Sequence, residues 1–248
     1  MITVALIGDV HANLPALEAV LEHARQQGAQ QIWNIGDFVG YNAFPEEVVQ
    51  LLRQRADATS IIGNYDLKAL RGEEKLRKLF KKKDLRKVMA FIWAYQQLSE
   101  SSREYLRGLP MQRDLIVEGW HVLLAHGSPA SVDEHLMRDT PEERMRELAA
   151  MTTAEIVIIG HSHQPFTRLV GETLFINTGS VGRTDDGDPR AAYALLTLAP
   201  GQRDCRHFRV AYDVERAAAA ITARGQPEEF AEMIRQGRSL KELENGDS

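Results

Sequence analysis

The sequence predicts an α/β fold, a sandwich of two mixed β-sheets with helices outside each. Three observations carry that prediction. Short apolar, β-branched runs fall into two clusters, one early and one late in the chain. The early runs alternate with helical patterns in a β-α-β-α-β rhythm, which argues for parallel strands covered on both faces. The late runs are joined by tight turns, which adds antiparallel pairs.

The first strand, 2–7, is a near-continuous apolar run that ends in Gly8-Asp9-Val10-His11. Asn13 then caps a helix with Pro15 in its first turn; Leu17, Val20, Leu21 and Ala24 form its apolar face, and Gly28 stops it. Residues 32–35 form a second strand, which runs into Gly36-Asp37-Phe38-Val39-Gly40. A helix over 45–53 leads to a third strand, 58–62, which ends in Gly63-Asn64-Tyr65-Asp66.

Residues 67–110 break the rhythm. Leu85, Val88, Met89, Ile92 and Tyr95 recur at helical spacing, so two or three helices are expected to form a cap beside the sheet. The run Lys81-Lys82-Lys83 reads as a solvated face. Beyond Gly108-Leu109-Pro110 come strands at 114–117 and 120–124, paired across Glu118-Gly119, with Ala125-His126-Gly127 after the second. A helix over 141–151, capped by Thr140, precedes the buried strand 155–159, which ends in Gly160-His161-Ser162-His163. A hairpin of 166–170 and 173–176 leads into the turn-rich Asn177-Thr178-Gly179-Ser180-Val181-Gly182-Arg183. Strands at 191–198 and 206–211 and helices at 214–223 and 228–236 follow, and the remaining residues read as a polar, frayed tail. With no repeat and no long linker, residues 1–248 are expected to be a single domain with a helical cap insertion at about 67–110.

Composition excludes several functions. The net charge of −5 gives no basic field for nucleic acid or an anionic membrane. Cys205 is the single cysteine, so no intramolecular disulfide framework exists. No apolar run reaches the length of a membrane span, and the N-terminus lacks the pattern of a signal peptide. The cytoplasm is the expected location, and self-association is left open.

The chemistry lies at the strand ends. Five apolar strands each end in residues that bind metals well: Asp9 with His11, Asp37, Asn64, His126, and His161 with His163. In an extended segment residues two apart share a side, so His161 and His163 can face one site. Each has a bland reading alone, as turn residue, cap or surface histidine. Together the bland account needs five coincidences, and open α/β sheets do place ligands beyond the carboxyl ends of their strands. Seven ligands are too many for one four-coordinate zinc and suit two adjacent ions that share a carboxylate. Imidazole, carboxylate and amide donors without thiolate favour manganese, iron, zinc or cobalt. Such a pair, roughly 3.5–4 Å apart, serves phosphoryl and peptidyl hydrolysis alike.

The ordered motifs Asp9-Val10-His11, Gly36-Asp37-Phe38-Val39-Gly40, Gly63-Asn64-Tyr65-Asp66, His126-Gly127 and Gly160-His161-Ser162-His163 closely resemble the calcineurin-like metallophosphoesterases. The loop Asn177-Thr178-Gly179-Ser180-Val181-Gly182 resembles that of the small prokaryotic phosphodiesterase branch, whose fold is a four-layer αββα sandwich. The resemblance implies one ion held by Asp9, His11, Asp37 and His163, and another held by Asp37, Asn64, His126 and His161. Asp37 would be the bridge, a metal-bridging hydroxide would attack phosphorus in line, and Asn64 and His126 would help orient the phosphate. Tyr65 departs from the family, whose members commonly carry there a histidine that works with the following aspartate, here Asp66, on the leaving group or transition state.

The expected function is therefore a dinuclear-metal phosphodiesterase acting on a small phosphate ester. Monoesters, nucleotides and dinucleoside polyphosphates are the alternative substrates. A non-enzymatic metal-binding scaffold and, more remotely, a metallopeptidase are the alternative classes. Asn13 and Arg183 are candidate substrate contacts, with helix cap and surface arginine as their bland readings. Arg190 flanks the same loop. Asp185, Asp186 and Asp188 read as turn residues; His23, His121, His135 and His207 read as structural or exposed, and Cys205 as core.

Overall fold

Along the first strand the side chains divide by parity, and that division generates the layers. In this computed structural model, which describes residues 1–72, 74, 76, 78 and 85–246, the first strand is β1 (Ile2–Ile7). Val4 and Leu6 face a second sheet, Ala5 and Ile7 face helices, and all four are fully buried. The first sheet also contains β2 (Gln31–Asn34), β3 (Ala58–Ser60), β9 (Ala191–Ala199) and β10 (Gln202–Val210), in the order β10-β9-β1-β2-β3. The second contains β4 (Gln112–Val117), β5 (Trp120–Ala125), β6 (Ile156–Ile159), β7 (Phe166–Val170) and β8 (Thr173–Asn177), in the order β4-β5-β6-β8-β7.

Both sheets are mixed, as expected. β1, β2 and β3 run parallel in one, and β5, β6 and β8 in the other, with antiparallel neighbours outside them. Trp33, Ile35, Ile61, Leu124, Ile158 and Leu196 interdigitate between the sheets. Each such side chain contributes roughly 1.5–3 kcal/mol by leaving water, so the sandwich centre is a stiff base for the loops above it.

Helices α1 (Leu14–Gln26) and α2 (Pro45–Arg53) cover the outer face of the first sheet. α3 (Asn64–Ala69) follows β3, and the inserted helices are α4 (Leu85–Gln97) and α5 (Glu100–Gly108). α6 (Glu142–Ala150) places Met145 and Leu148 on the outer face of the second sheet. α7 (Val214–Ala223), α8 (Glu228–Gln236) and α9 (Leu240–Gly246) close the chain and pack with Ala90 of α4.

Three local expectations change. The polar tail contains α9, because Leu240 finds a buried slot in the cluster around Phe230 and Ile234, so tertiary packing overrides a weak local signal. Thr140 does not cap α6; Pro141 occupies that position, and the Thr140 hydroxyl accepts from Met137 N at 2.8 Å. The last two strands pair over their whole length from Gln202 to Val210, a longer β10 than its charged alternation suggests. The run Lys81-Lys82-Lys83 lies outside the described residues. Among the described residues no helix is long and apolar enough to cross a membrane.

Candidate metal centre

The parallel strands of both sheets deliver their carboxyl ends to one place. Backbone bonds lock the loops there: Asp9 N donates to Gly36 O at 3.0 Å, His11 N to Asp37 O at 2.9 Å, and Gly160 N to His126 O at 2.8 Å. The glycines of the motifs permit that closeness. A Cβ on Gly63 would stand 2.1 Å from Asp37 Oδ1, and one on Gly160 would stand 2.5 Å from Asp9 Oδ2. Asp9, His11, Asp37, His161 and His163 all take positive φ, between 48° and 66°. Left-handed backbone costs non-glycine residues of order 1–3 kcal/mol each, and such strain concentrates where side-chain direction matters more than stability.

Two groups of side chains result. Asp9, His11 and His163 form one, and Asp37, His126 and His161 the other; within each, the potential ligand atoms lie within 4.8 Å of one another. All six are buried. In the first, His11 Nε2 lies 3.1 Å from His163 Nε2, and His163 Nε2 lies 3.3 Å from Asp9 Oδ1. Asp37 reaches both groups, its Oδ2 being 3.5 Å from His126 Nε2 and 3.9 Å from His11 Nε2.

Outward atoms of these side chains are engaged by the surrounding chain, whereas four inward atoms of the site have no hydrogen-bond partner among the described residues. Asp9 Oδ2 accepts from His161 N at 2.9 Å, and Asp37 Oδ1 accepts from Tyr65 N at 2.7 Å. Nδ1 of His11 and of His126 face the carbonyls of Val39 and Ile35 at 3.3 and 2.7 Å, which can only accept, so both nitrogens carry a proton. His163 Nδ1 faces Asp185 Oδ2 at 2.9 Å. Asn64 Nδ2 donates to Asp133 Oδ1 at 2.7 Å, which turns its carbonyl inward. Asp9 Oδ1, Asn64 Oδ1, His126 Nε2 and His161 Nε2 are buried without a hydrogen-bond partner among the described residues. Buried polar atoms without a partner are costly, and a convergent set of them with this second layer fits divalent cations. Either group could hold an ion, and Asn64 adds an oxygen beside the second.

Electrostatics agree. Burial pushes the His126 imidazole down, but the Asp37 carboxylate outweighs it and lifts the group to about 9. Burial likewise opposes, and Asp185 and Asp9 overcome, the rise of His163 to about 9. Asp9 and Asp37 resist the upward push of burial, and His163 and His126 respectively hold them below the ordinary carboxylate value. Burial depresses His161 to about 4, helped by His126, and keeps His11 well below 6.5. The anions are thus held ionised beside exchangeable protons.

The remaining sequence candidates separate. Asn13 is a fully buried helix cap: Oδ1 accepts from Ala16 N, and Nδ2 donates to Gly182 O and Tyr212 Oη. Its amide is fully engaged, and it does not line the cavity of about 300 Å³ that opens over Asp37, Asn64 and His161. Asp66 ties two loops, accepting from Val39 N at 3.1 Å and Gly63 N at 3.0 Å, and burial with the nearby Asp37 raises it to about 8. Tyr65 lines the cavity, with its hydroxyl 2.6 Å from that of Tyr41. Arg183 lines it too, stacked over Tyr41 with its guanidinium carbon 4.5 Å from the ring centre. Arg190 is paired with Asp188.

Several residues escaped the sequence reading. Asp185 is no mere turn residue, since it joins His163 to Arg183. His135 lies against His161 with 3.9 Å between ring centres at a tilt of 46°, and lines the cavity. Asp133 and His135 sit on an irregular loop with no periodicity to place them. Lys68 could have been found: once a helix begins at Asn64, position i+4 lies on the same face.

The chain is similar to known proteins over most of its length. Residues 2–201 match the family described as the calcineurin-like phosphoesterase superfamily domain. The chain is 30% identical over 252 residues to an uncharacterised protein of Methanocaldococcus jannaschii, covering 95% of this chain and 98% of that one. It is also similar to the phosphodiesterase YfcE of Escherichia coli, 26% identical over 205 residues, covering 79% and 88%. A crystal structure of a metallophosphoesterase from Sphaerobacter thermophilus is 30% identical with a TM-score of 0.78, covering 95% of this chain and 99% of that chain.

Proposed function

The chain belongs to the calcineurin-like phosphoesterase superfamily and is a metal-dependent phosphoesterase, and we propose that it hydrolyses phosphodiesters at a pair of divalent ions. The observation that carries the reading is Asp37, whose Oδ2 faces both ligand groups at once. Asp9, His11, Asp37 and His163 would hold one ion; Asp37, Asn64, His126 and His161 would hold the other. Manganese, iron, zinc and cobalt all suit these donors. When bound, the pair would lower the pKa of a water and neutralise charge that builds on the phosphate during attack.

The rest of the work falls to the chain's own groups. Val39 O, Ile35 O and Asp185 fix the imidazole rings, so the ligand lone pairs are aimed before substrate arrives. Asp133 does the same for Asn64. Asp133→Ala frees that amide to turn its nitrogen inward, and a loss of about 10–100-fold in the weaker metal affinity is expected. Metal titration checks it; an unaltered second affinity would remove Asp133 from the site.

Tyr65 bears on the choice of a diester. Burial and the adjoining Tyr41 hydroxyl push its phenol well above 10, so it stays neutral and offers a hydrogen bond but no proton at pH 7. Without strong acid help, leaving groups must be stable as anions. The similarity to a protein named phosphodiesterase points the same way. Tyr65→Phe is expected to slow alkyl esters by about tenfold or more, the lower range for a positioned donor, and activated aryl diesters far less. Equal rates on both substrates would leave Tyr65 with packing alone.

The reading is tested with metal-stripped protein, manganese added back, and bis(p-nitrophenyl) phosphate beside p-nitrophenyl phosphate. Metal-dependent turnover favouring the diester is the expected result. Turnover of the monoester alone would make the protein a phosphomonoesterase. No turnover, with two ions bound, would favour the scaffold. Against the scaffold, Leu85 and Met89 are the exposed large apolar side chains on the described part of the insertion, too few for a docking face of several hundred Å².

A further inference from the structure

A cavity of about 300 Å³ reaches from Asp37 and Asn64 to Lys68 and Lys87 on the wall made by α3 and α4. That is the small end of ligand pockets, enough for one phosphate and a second polar group on a short spacer. Three cationic side chains line it, and two have carboxylate partners. Lys68 Nζ lies 3.1 Å from Asp133 Oδ1, and Arg183 lies 2.8 Å from Asp185 Oδ2. Lys87, partly buried in the first turn of α4, has no ion pair among the described residues. Asp133 holds Asn64 and Lys68 through Oδ1, and Asp185 holds Arg183 and His163, so both carboxylates are directed to other partners and neither forms an ion pair with Lys87.

An ammonium on a cavity wall, with no ion pair among the described residues, attracts an anion more strongly than one in open water. We infer that Lys87 forms a second anion subsite, and that the substrate is a phosphodiester bearing a further phosphate or carboxylate near the scissile group. The inference takes its reaction from the phosphodiesterase reading, but the subsite itself is a statement about binding. It also accounts for the insertion, because α4 brings to the cavity a charge that neither sheet supplies.

Calorimetry of the manganese-loaded protein with thymidine 5′-monophosphate and thymidine 3′,5′-bisphosphate tests it. The bisphosphate is expected to bind about tenfold tighter, the worth of one charge-assisted contact. Lys87→Met should bring the two affinities together, and Lys87→Arg should keep them apart. Equal binding of both nucleotides by the unaltered protein would overturn the inference. So would a Lys87→Met variant, folded as judged by its melting curve, that weakens both nucleotides alike. The p-nitrophenyl 5′-esters of the same two nucleotides should show the same ratio in KM. If neither ester is hydrolysed while the binding preference and its loss in Lys87→Met persist, the phosphodiesterase reading falls and the subsite stands.

Discussion

Asp37→Asn is expected to abolish turnover, by about 10³-fold or more, and to leave the protein folded. The carboxylate faces His11 and His126 from one oxygen, so it is the side chain whose loss touches both ligand groups. An amide keeps the size, and its carbonyl can still accept from Tyr65 N, the bond that anchors the loop after β3. What it cannot do is present a second anionic oxygen between two cations. A charge-stabilising contribution of several kcal/mol is lost at each ion, and each 1.36 kcal/mol is a factor of ten in rate. Metal content measured with the rate makes the result specific: the variant should hold one ion or none. Full activity with two ions would sink the bridging role.

The fold was legible because its strands are apolar, short and punctuated. β1, β2 and β6 end at Gly8, at Gly36 after Ile35, and at Gly160, and each break is followed by a ligand type. Those glycines are needed for close packing of loop on loop, so the punctuation and the chemistry share one cause. Asp9, Asp37, Asn64 and His161 each directly follow a glycine, His11 and His163 lie two residues further on, and His126 directly precedes one, so a one-dimensional reading is strongest there. The residues around them were not legible. Asp133, His135 and Asp185 reach the site through irregular loops, where no period tells which way a side chain points. Asn13 carried two readings, substrate contact and helix cap, and its amide serves the cap: the helix start takes its oxygen and two neighbours take its nitrogen. α9 was hidden because its one buried anchor, Leu240, depends on partners distant in sequence.

Metal affinity is expected to rise steeply with pH, about tenfold per unit for each ion between pH 7 and 9. In the metal-free protein His126 and His163 are each held protonated to about 9, by Asp37 and by Asp185 with Asp9. An ion needs the Nε2 lone pair of each, so binding must expel those protons, and below the folded pKa each proton expelled makes affinity tenfold stronger per pH unit. Calorimetry in buffers of different ionisation enthalpy counts them; binding that releases none would refute this account. Stability of the stripped protein carries the same signature. His126 and His163 are raised above the ordinary 6.5, so their contribution is complete below 6.5 and is lost as pH rises through 9. His11 and His161 are lowered, so the unfolded chain binds more protons there, and their penalty disappears as pH rises to 6.5. The two windows do not overlap, and the melting temperature of the stripped protein should pass through a maximum near pH 6.5. Bound ions replace the protons that hold Asp9 and Asp37 in place, so the loaded protein should keep only the shallower fall up to about pH 8 that the raised Asp66 contributes.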